Sequence, residues 1–319
     1  MPELFAGPGG ISHAAEALGI HLTGIEWDDN AVATRKAAEL PTVHDDVRKH
    51  SPCDHPHEGI LAGGPPCQTY TIAGPGTGRA EMTRIIAAVH TLAPGEHVDP
   101  GQFADERTAL VLEPLRWILE AHWDSHPYRA VVLEQVPAVL PIWQAYCTVL
   151  ERMGYSAVCG ILNAEEHGVP QTRRRAALVA RLGYVAALPR PTHRRYIKGV
   201  PQHAGDPSLK PWVSMGDVID RDGPFAVVSN YGTGGDPKNR GRRTSAEPAF
   251  TVTGKISRLR LVAPLGYDLD RLTHAEAGQL QGFPADYPWS GNDIPQQIGN
   301  ACPPPLAEAL LRAATQPTA

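Results

Sequence analysis

Short apolar runs alternate with stretches of helical spacing through the first half of the chain. The runs at 3–7 (ELFAG), 22–27 (LTGIEW), 42–47 (TVHDDV), 59–64 (GILAGG), 128–136 (YRAVVLEQV), 155–163 (YSAVCGILN) and 176–182 (AALVARL) read as strands. Between them, apolar positions return at helical intervals in 12–20, 30–40, 109–123 and 141–154, which predicts helices. Such β-α-β alternation predicts an α/β fold with a doubly wound, mainly parallel sheet, and it places functional residues on loops at the carboxyl ends of the strands.

The texture changes near residue 184. Pro, Gly, Arg and His dominate 189–211 and 230–243, and strand-like pieces at 225–230 and 249–254 sit between turns. This pattern predicts a second small domain, rich in loops and strands, over 184–293. The helical stretch 304–315 is expected to return to the sheet, so that residues 1–183 plus 294–319 form the larger domain. No internal repeat is evident.

With 42% hydrophobic and 20% charged residues, the 319-residue chain has the composition of a soluble enzyme. Its apolar runs are too short or interrupted to span a bilayer, and its start lacks a basic segment followed by an apolar one. No membrane association or secretory signal is therefore expected. Five cysteines without close pairing argue against a disulfide framework, so a cytoplasmic setting is expected. The net charge of −5 hides an asymmetry, because residues 171–260 hold 17 Lys and Arg against 6 Asp and Glu. A cationic segment on an acidic body attracts phosphates locally.

Candidate chemistry falls at the strand ends. FAGPGG (5–10) follows the first strand and opens the first helix, where glycines let a ligand approach backbone N–H groups. Glu26 ends the second strand, placed to accept hydrogen bonds from a ribose diol. Asp46 follows the third, placed for an adenine amino group. Together the three make the footprint of an adenosyl cofactor. GGPPCQ (63–68) sets Cys67 just past two stiffening prolines, as a nucleophile that must act as thiolate. Glu134, ending AVVL, is a candidate proton donor. In QTRRR (171–175), Arg173 and Arg175 share one side of an extended segment and suit a pyrimidine O2, the acid or a phosphate. No CxxC or His/Cys spacing predicts a metal.

These pieces, in this order, resemble the motifs of the DNA (cytosine-5) methyltransferase family: FAGPGG, Glu26, Asp46, GGPPCQ, Asp105-Glu-Arg107, Glu134-Gln-Val, QTRRR, a Pro248 to Thr251 segment, and IGNACPPP (298–305). The resemblance implies a Rossmann-like fold and methyl transfer from S-adenosylmethionine, leaving S-adenosylhomocysteine, to C5 of a cytosine flipped out of duplex DNA. It implies catalytic roles for Cys67, Glu134, Arg173 and Arg175, with Arg175 on the cytosine O2 and Arg173 and Gln171 supporting the pocket. Cofactor contacts fall on Phe5, Gly7, Gly9, Gly10, Glu26, Trp27, Asp46, Leu110, Asn300, Ala301 and Cys302. Substrate contacts fall on Pro66, Gln68, Gln171, Arg242, Arg243 and Thr251. A monomer on DNA is expected, with a restriction endonuclease or a specificity partner as companion.

Three departures from the family pattern stand out. EQV replaces the usual ENV. Cys67 and Asp105 lie 38 positions apart, an excursion expected to cover DNA, touch cofactor or stay disordered. The region between QTRRR and Pro248 is short, which assigns base reading to the glycine-rich 229–243. Rival readings are a cytosine-5 methyltransferase of tRNA and a silent nucleic-acid binder.

Overall fold

A computed structural model describes residues 1–55, 59–66, 68–70, 76–229 and 241–316. Seven strands form the main sheet: β1 (Pro2–Leu4), β2 (Thr23–Glu26), β3 (Thr42–His44), β4 (Ile60–Gly63), β5 (Ala130–Gln135), β6 (Tyr155–Asn163) and β7 (Arg174–Leu182). Their order across the sheet is β3-β2-β1-β4-β5-β7-β6, and β7 alone runs antiparallel to its neighbours. The chain winds outward from β1 to β3, then restarts on the other side with β4. The switch point between β1 and β4 is where a doubly wound sheet opens a crevice for ligands.

The sheet is covered on both faces, which explains its near-continuous apolar strands. Leu61, Val131, Leu133 and Leu178 point into one core with Trp117, Ile118, Trp143 and Tyr146. Their strand neighbours Ala62, Val132 and Val179 point the other way, against Ile11, Leu306 and Leu310. The first face carries α3 (Thr77–Ala80), α4 (Met82–Leu92), α5 (Glu113–Trp123) and α6 (Leu140–Arg152). The second carries α1 (Gly10–Glu16) beside α9 (Pro304–Thr315), and α2 (Asp29–Ala37) packs by β3. The return of 304–315 to the sheet is as the apolar pattern predicts.

A three-stranded antiparallel sheet, β10-β8-β9, is built from β8 (Ala226–Ser229), β9 (Arg242–Thr244) and β10 (Leu259–Val262). Phe225, Val227, Leu259 and Leu261 pack there with Leu280 of α7 (His274–Leu280) and Ile298 of α8 (Ile294–Asn300). The strand predicted over 249–254 is absent. That stretch makes a single parallel bridge, Ala249 to Gln171. Its next polar groups bond to side chains, since the Val252 N–H donates to Gln171 Oε1 at 2.9 Å and the Val252 carbonyl accepts from Arg173 at 2.9 Å.

The excursion after Cys67 is part of the body over its described residues. Ile85, Ala88 and Val89 of α4 and Phe103 beyond it are buried in the large core, and Arg84 lies 5.6 Å from the Phe103 ring centroid. No helix among the described residues is long and apolar enough to cross a membrane.

Candidate active site

A cavity of about 350 Å³ opens at the carboxyl ends of β1 to β5. Phe5, Gly7, Glu26, Trp27, Asp46, Pro66, Gln68, Leu110, Glu134, Arg173, Arg175 and Asn300 all line it. The volume suits a drug-sized organic ligand, for which sites of roughly 300–1,000 Å³ are usual.

The wall by β1 to β3 is built from backbone. Phe5 (φ 56°) and Gly7 (φ 55°) both turn left-handed after β1, and only the glycine does so without strain. The turn aims the Gly7 N–H at Glu26 Oε2, 2.8 Å away, while Oε1 accepts from the amides of Trp27 and Asp28 at 2.9 and 2.8 Å. Burial nevertheless pushes the Glu26 carboxyl above its ordinary value, outweighing those amides. Trp27 stays 57% exposed and offers a bare aromatic face at the rim. Beneath the turn lies a buried network in which Arg35 pairs with Glu3 at 3.7 Å and donates to Ser12, which itself donates to Glu3.

The opposite wall holds charge. The Arg175 guanidinium sits with Nε 2.7 Å from Glu134 Oε1, and both side chains are nearly buried. Among the described residues that oxygen has no aligned hydrogen-bond donor, so the ion pair with Arg175 holds it by charge. Beside it, the Gln135 amide donates to the Pro65 carbonyl and its oxygen accepts from Val136 N–H at 2.5 Å. The glutamine of EQV thus ties the end of β5 to the diproline that precedes Cys67. Cys67 itself lies outside the described residues, as do 230–240 of the glycine-rich segment assigned to base reading. Gln68 is described, and its Oε1 accepts from Arg107 at 2.7 Å, with Arg107 braced in turn by Asp105.

Several expected site residues lie behind the cavity rather than on it. Gly10 supports the site by close approach, because a Cβ there would stand 2.0 Å from the Cys302 carbonyl oxygen. Gly9, Ala301 and Cys302 likewise do not line the cavity, and burial pushes the Cys302 thiol well up. Gln171 is fully buried and donates to the Leu280 carbonyl and to Gln281. Thr251 donates to the Thr172 carbonyl at 2.7 Å. Arg243 sits between the Tyr196 and Phe250 rings and donates to Thr172 and to the Pro248 and Ala249 carbonyls. Arg242 is exposed. Arg173 reaches the cavity but directs its guanidinium to the carbonyls of Val252, Gly299 and Ala301. Gln171, Arg173, Arg243 and Thr251 therefore form the joint between the two sheets.

The model of the C-5 cytosine-specific DNA methylase family matches residues 1–92, 99–198 and 225–316. The chain belongs to this family. Membership carries the enzyme class, DNA cytosine-5 methyltransferase. The type II methyltransferase M1.HphI of Haemophilus parahaemolyticus is 29% identical over 98% of the chain and 85% of that relative. The type II methyltransferase M.HindV of Haemophilus influenzae is 26% identical over 98% of the chain and 94% of its own length. In fold, the S. pombe Dnmt2 methyltransferase matches with a TM-score of 0.64 at 16% identity, covering 97% of this chain and 96% of that one.

Sequence reading missed Asn30, Asp45, Arg48 and Gln296, which also line the methylase cavity. Asp45 and Arg48 flank Asp46 by one and two positions, so the third strand end was the signal available for them. Asn30 and Gln296 lie on helices whose facing could not be read from one sequence.

Proposed function

We propose that this methylase binds S-adenosylmethionine along the β1 to β3 wall and methylates C5 of a cytosine flipped from duplex DNA into the wall formed by Glu134 and Arg175. The donor set fits the cofactor. Glu26 is fixed by three amides with its charge facing the cavity, Trp27 offers a ring face, and Asp46 closes the third strand end. Bound there, S-adenosylmethionine supplies an electrophilic methyl group.

The Cys67 thiolate adds to C6 of the cytosine. Glu134 hydrogen-bonds N3 and the exocyclic amine, which stabilises the charge that this addition places on the ring, and Arg175 donates to O2. C5 becomes the nucleophile, and after methylation loss of its proton expels Cys67. Gln135 holds the Pro65 carbonyl, and the two prolines stiffen the backbone that leads to Cys67. The smaller sheet with its cationic strands reads the target sequence.

The observation that carries this reading is the placement of Glu134, Arg175, Pro66 and Gln68 on the same cavity as Glu26, Trp27 and Asp46. Replacing Cys67 by Ser should abolish methyl transfer to duplex DNA and leave cofactor binding in calorimetry unchanged. Wild-type protein with cofactor should form a covalent complex on an oligonucleotide carrying 5-fluorocytosine, visible as a band stable to denaturing gels. Turnover by the serine variant would reject the mechanism, and labelling of tRNA but not DNA would reject the substrate.

A further inference from the structure

Arg48 lines the cavity beside Asp46, in a short 3-10 turn that Asp46 itself caps. Its guanidinium grips the Asp46 carboxylate in a fork, with Nε 3.1 and 2.9 Å from the two oxygens and Nη2 2.6 Å from Oδ2. The Arg48 backbone N–H donates to Oδ1 at 3.0 Å. Burial opposes the charge on Asp46, yet the Arg48 contacts outweigh it and hold the carboxyl below the usual range. On its other side, Arg48 Nη1 stands 3.8 Å from Glu106, at the far end of the excursion after Cys67.

We propose that Arg48 is a positioning residue for cofactor recognition, fixing the Asp46 carboxylate in one orientation as the acceptor that selects an amino-bearing purine. This rests on the reading of Asp46 as the adenine contact. A carboxylate two bonds from the backbone has little intrinsic reason to hold one rotamer, whereas a planar fork fixes both oxygens at once. The four contacts use three hydrogens, because the Nε–H is shared between the two oxygens, and this leaves one of the carboxylate's four lone-pair sites for the exocyclic amine. A purine with a carbonyl at that position brings oxygen against oxygen and is rejected. Glu106 sets the far end of the guanidinium, so the fork does not swing away to solvent.

The test measures binding of S-adenosylhomocysteine and S-inosylhomocysteine, which differ in amino against oxo at C6 and, with it, in acceptor against N–H at N1, by calorimetry on the full chain. Wild type should prefer the amino ligand. In Arg48→Ala the amino ligand should weaken by about tenfold, the loss expected for a hydrogen bond to a charged group, while the oxo ligand changes little. The preference therefore collapses. Arg48→Lys keeps the charge without the fork and should recover only part of it. Binding of the oxo ligand reports that each variant is folded. A merely structural Arg48 would weaken both ligands equally, and that result overturns the proposal. Asp46→Ala separates the two layers. If it removes the preference and Arg48→Ala does not, the positioning role is wrong and the adenine contact stands. If Asp46→Ala keeps the whole of the wild-type preference, the adenine contact fails and the proposal fails with it.

Discussion

Among single residues, Glu26 makes the clearest prediction from pH. Burial raises its carboxyl above the ordinary 4.5, so the folded protein binds that proton more tightly than the unfolded chain. The resulting stabilisation is complete below about pH 4.5 and is lost as pH rises through the folded value. Thermal unfolding should therefore show wild type losing stability relative to Glu26→Gln across that window. Glu3, raised likewise by burial, is present in both proteins. Cofactor affinity should move the other way, rising with pH as the carboxylate becomes able to accept from ribose hydroxyls. A parallel pH course for the two proteins would show that Glu26 does not titrate differently on folding. At this scale the cavity-lining side chains at strand ends were legible, because a carboxylate or arginine directly after an apolar run has few places to go. Arg173 and Gln171 were not separable from Arg175 in sequence. Alternation puts 171, 173 and 175 on one side, but the carbonyls that take the first two come from residues 252, 280, 299 and 301.

At the scale of elements, close backbone crossings hold the site together. A Cβ on Gly299 would stand 2.1 Å from the Gly254 amide nitrogen and 2.4 Å from the Thr253 carbonyl carbon, both parts of the main chain. Gly299→Ala should destabilise by about 1–3 kcal/mol, as overpacking does, and should weaken cofactor binding because Gly299 and Asn300 line the cavity. Denaturant unfolding with calorimetry checks both, and a neutral substitution would mean that the two segments separate freely. The α4 helix carries a matching expectation. Ile85 is fully buried, so Ile85→Ala should cost about 2–5 kcal/mol in the same assay. An unchanged midpoint would return the excursion to the status of a loose loop. The parallel strands were legible as apolar runs because both of their faces are covered. The pieces at 242–244, 259–262, 274–280 and 294–300 were not, since their burial depends on the small core and on the joint rather than on an internal period. The 249–254 stretch failed as a strand for the converse reason: it has strand composition, but side chains of another element satisfy its backbone.

For the molecule as a whole, charge and connectivity are the governing facts. Arg242 and Lys255 are exposed on the cationic segment, and neither makes a salt bridge among the described residues. If both meet phosphates, replacing them with Gln should lower the slope of log K against log salt by about two. Fluorescence anisotropy with duplex DNA over a salt series reads this, and an unchanged slope would place the DNA elsewhere. Connectivity has a consequence in time. The turn after β1 is made nearly 300 residues before its support, since it rests on the Cys302 carbonyl, and Asn300 lines the cavity it opens. At roughly 5–20 residues per second, the ribosome delivers that closing segment about 15–60 seconds after the turn. A growing chain therefore lacks the finished cavity until residues 299–302 have emerged.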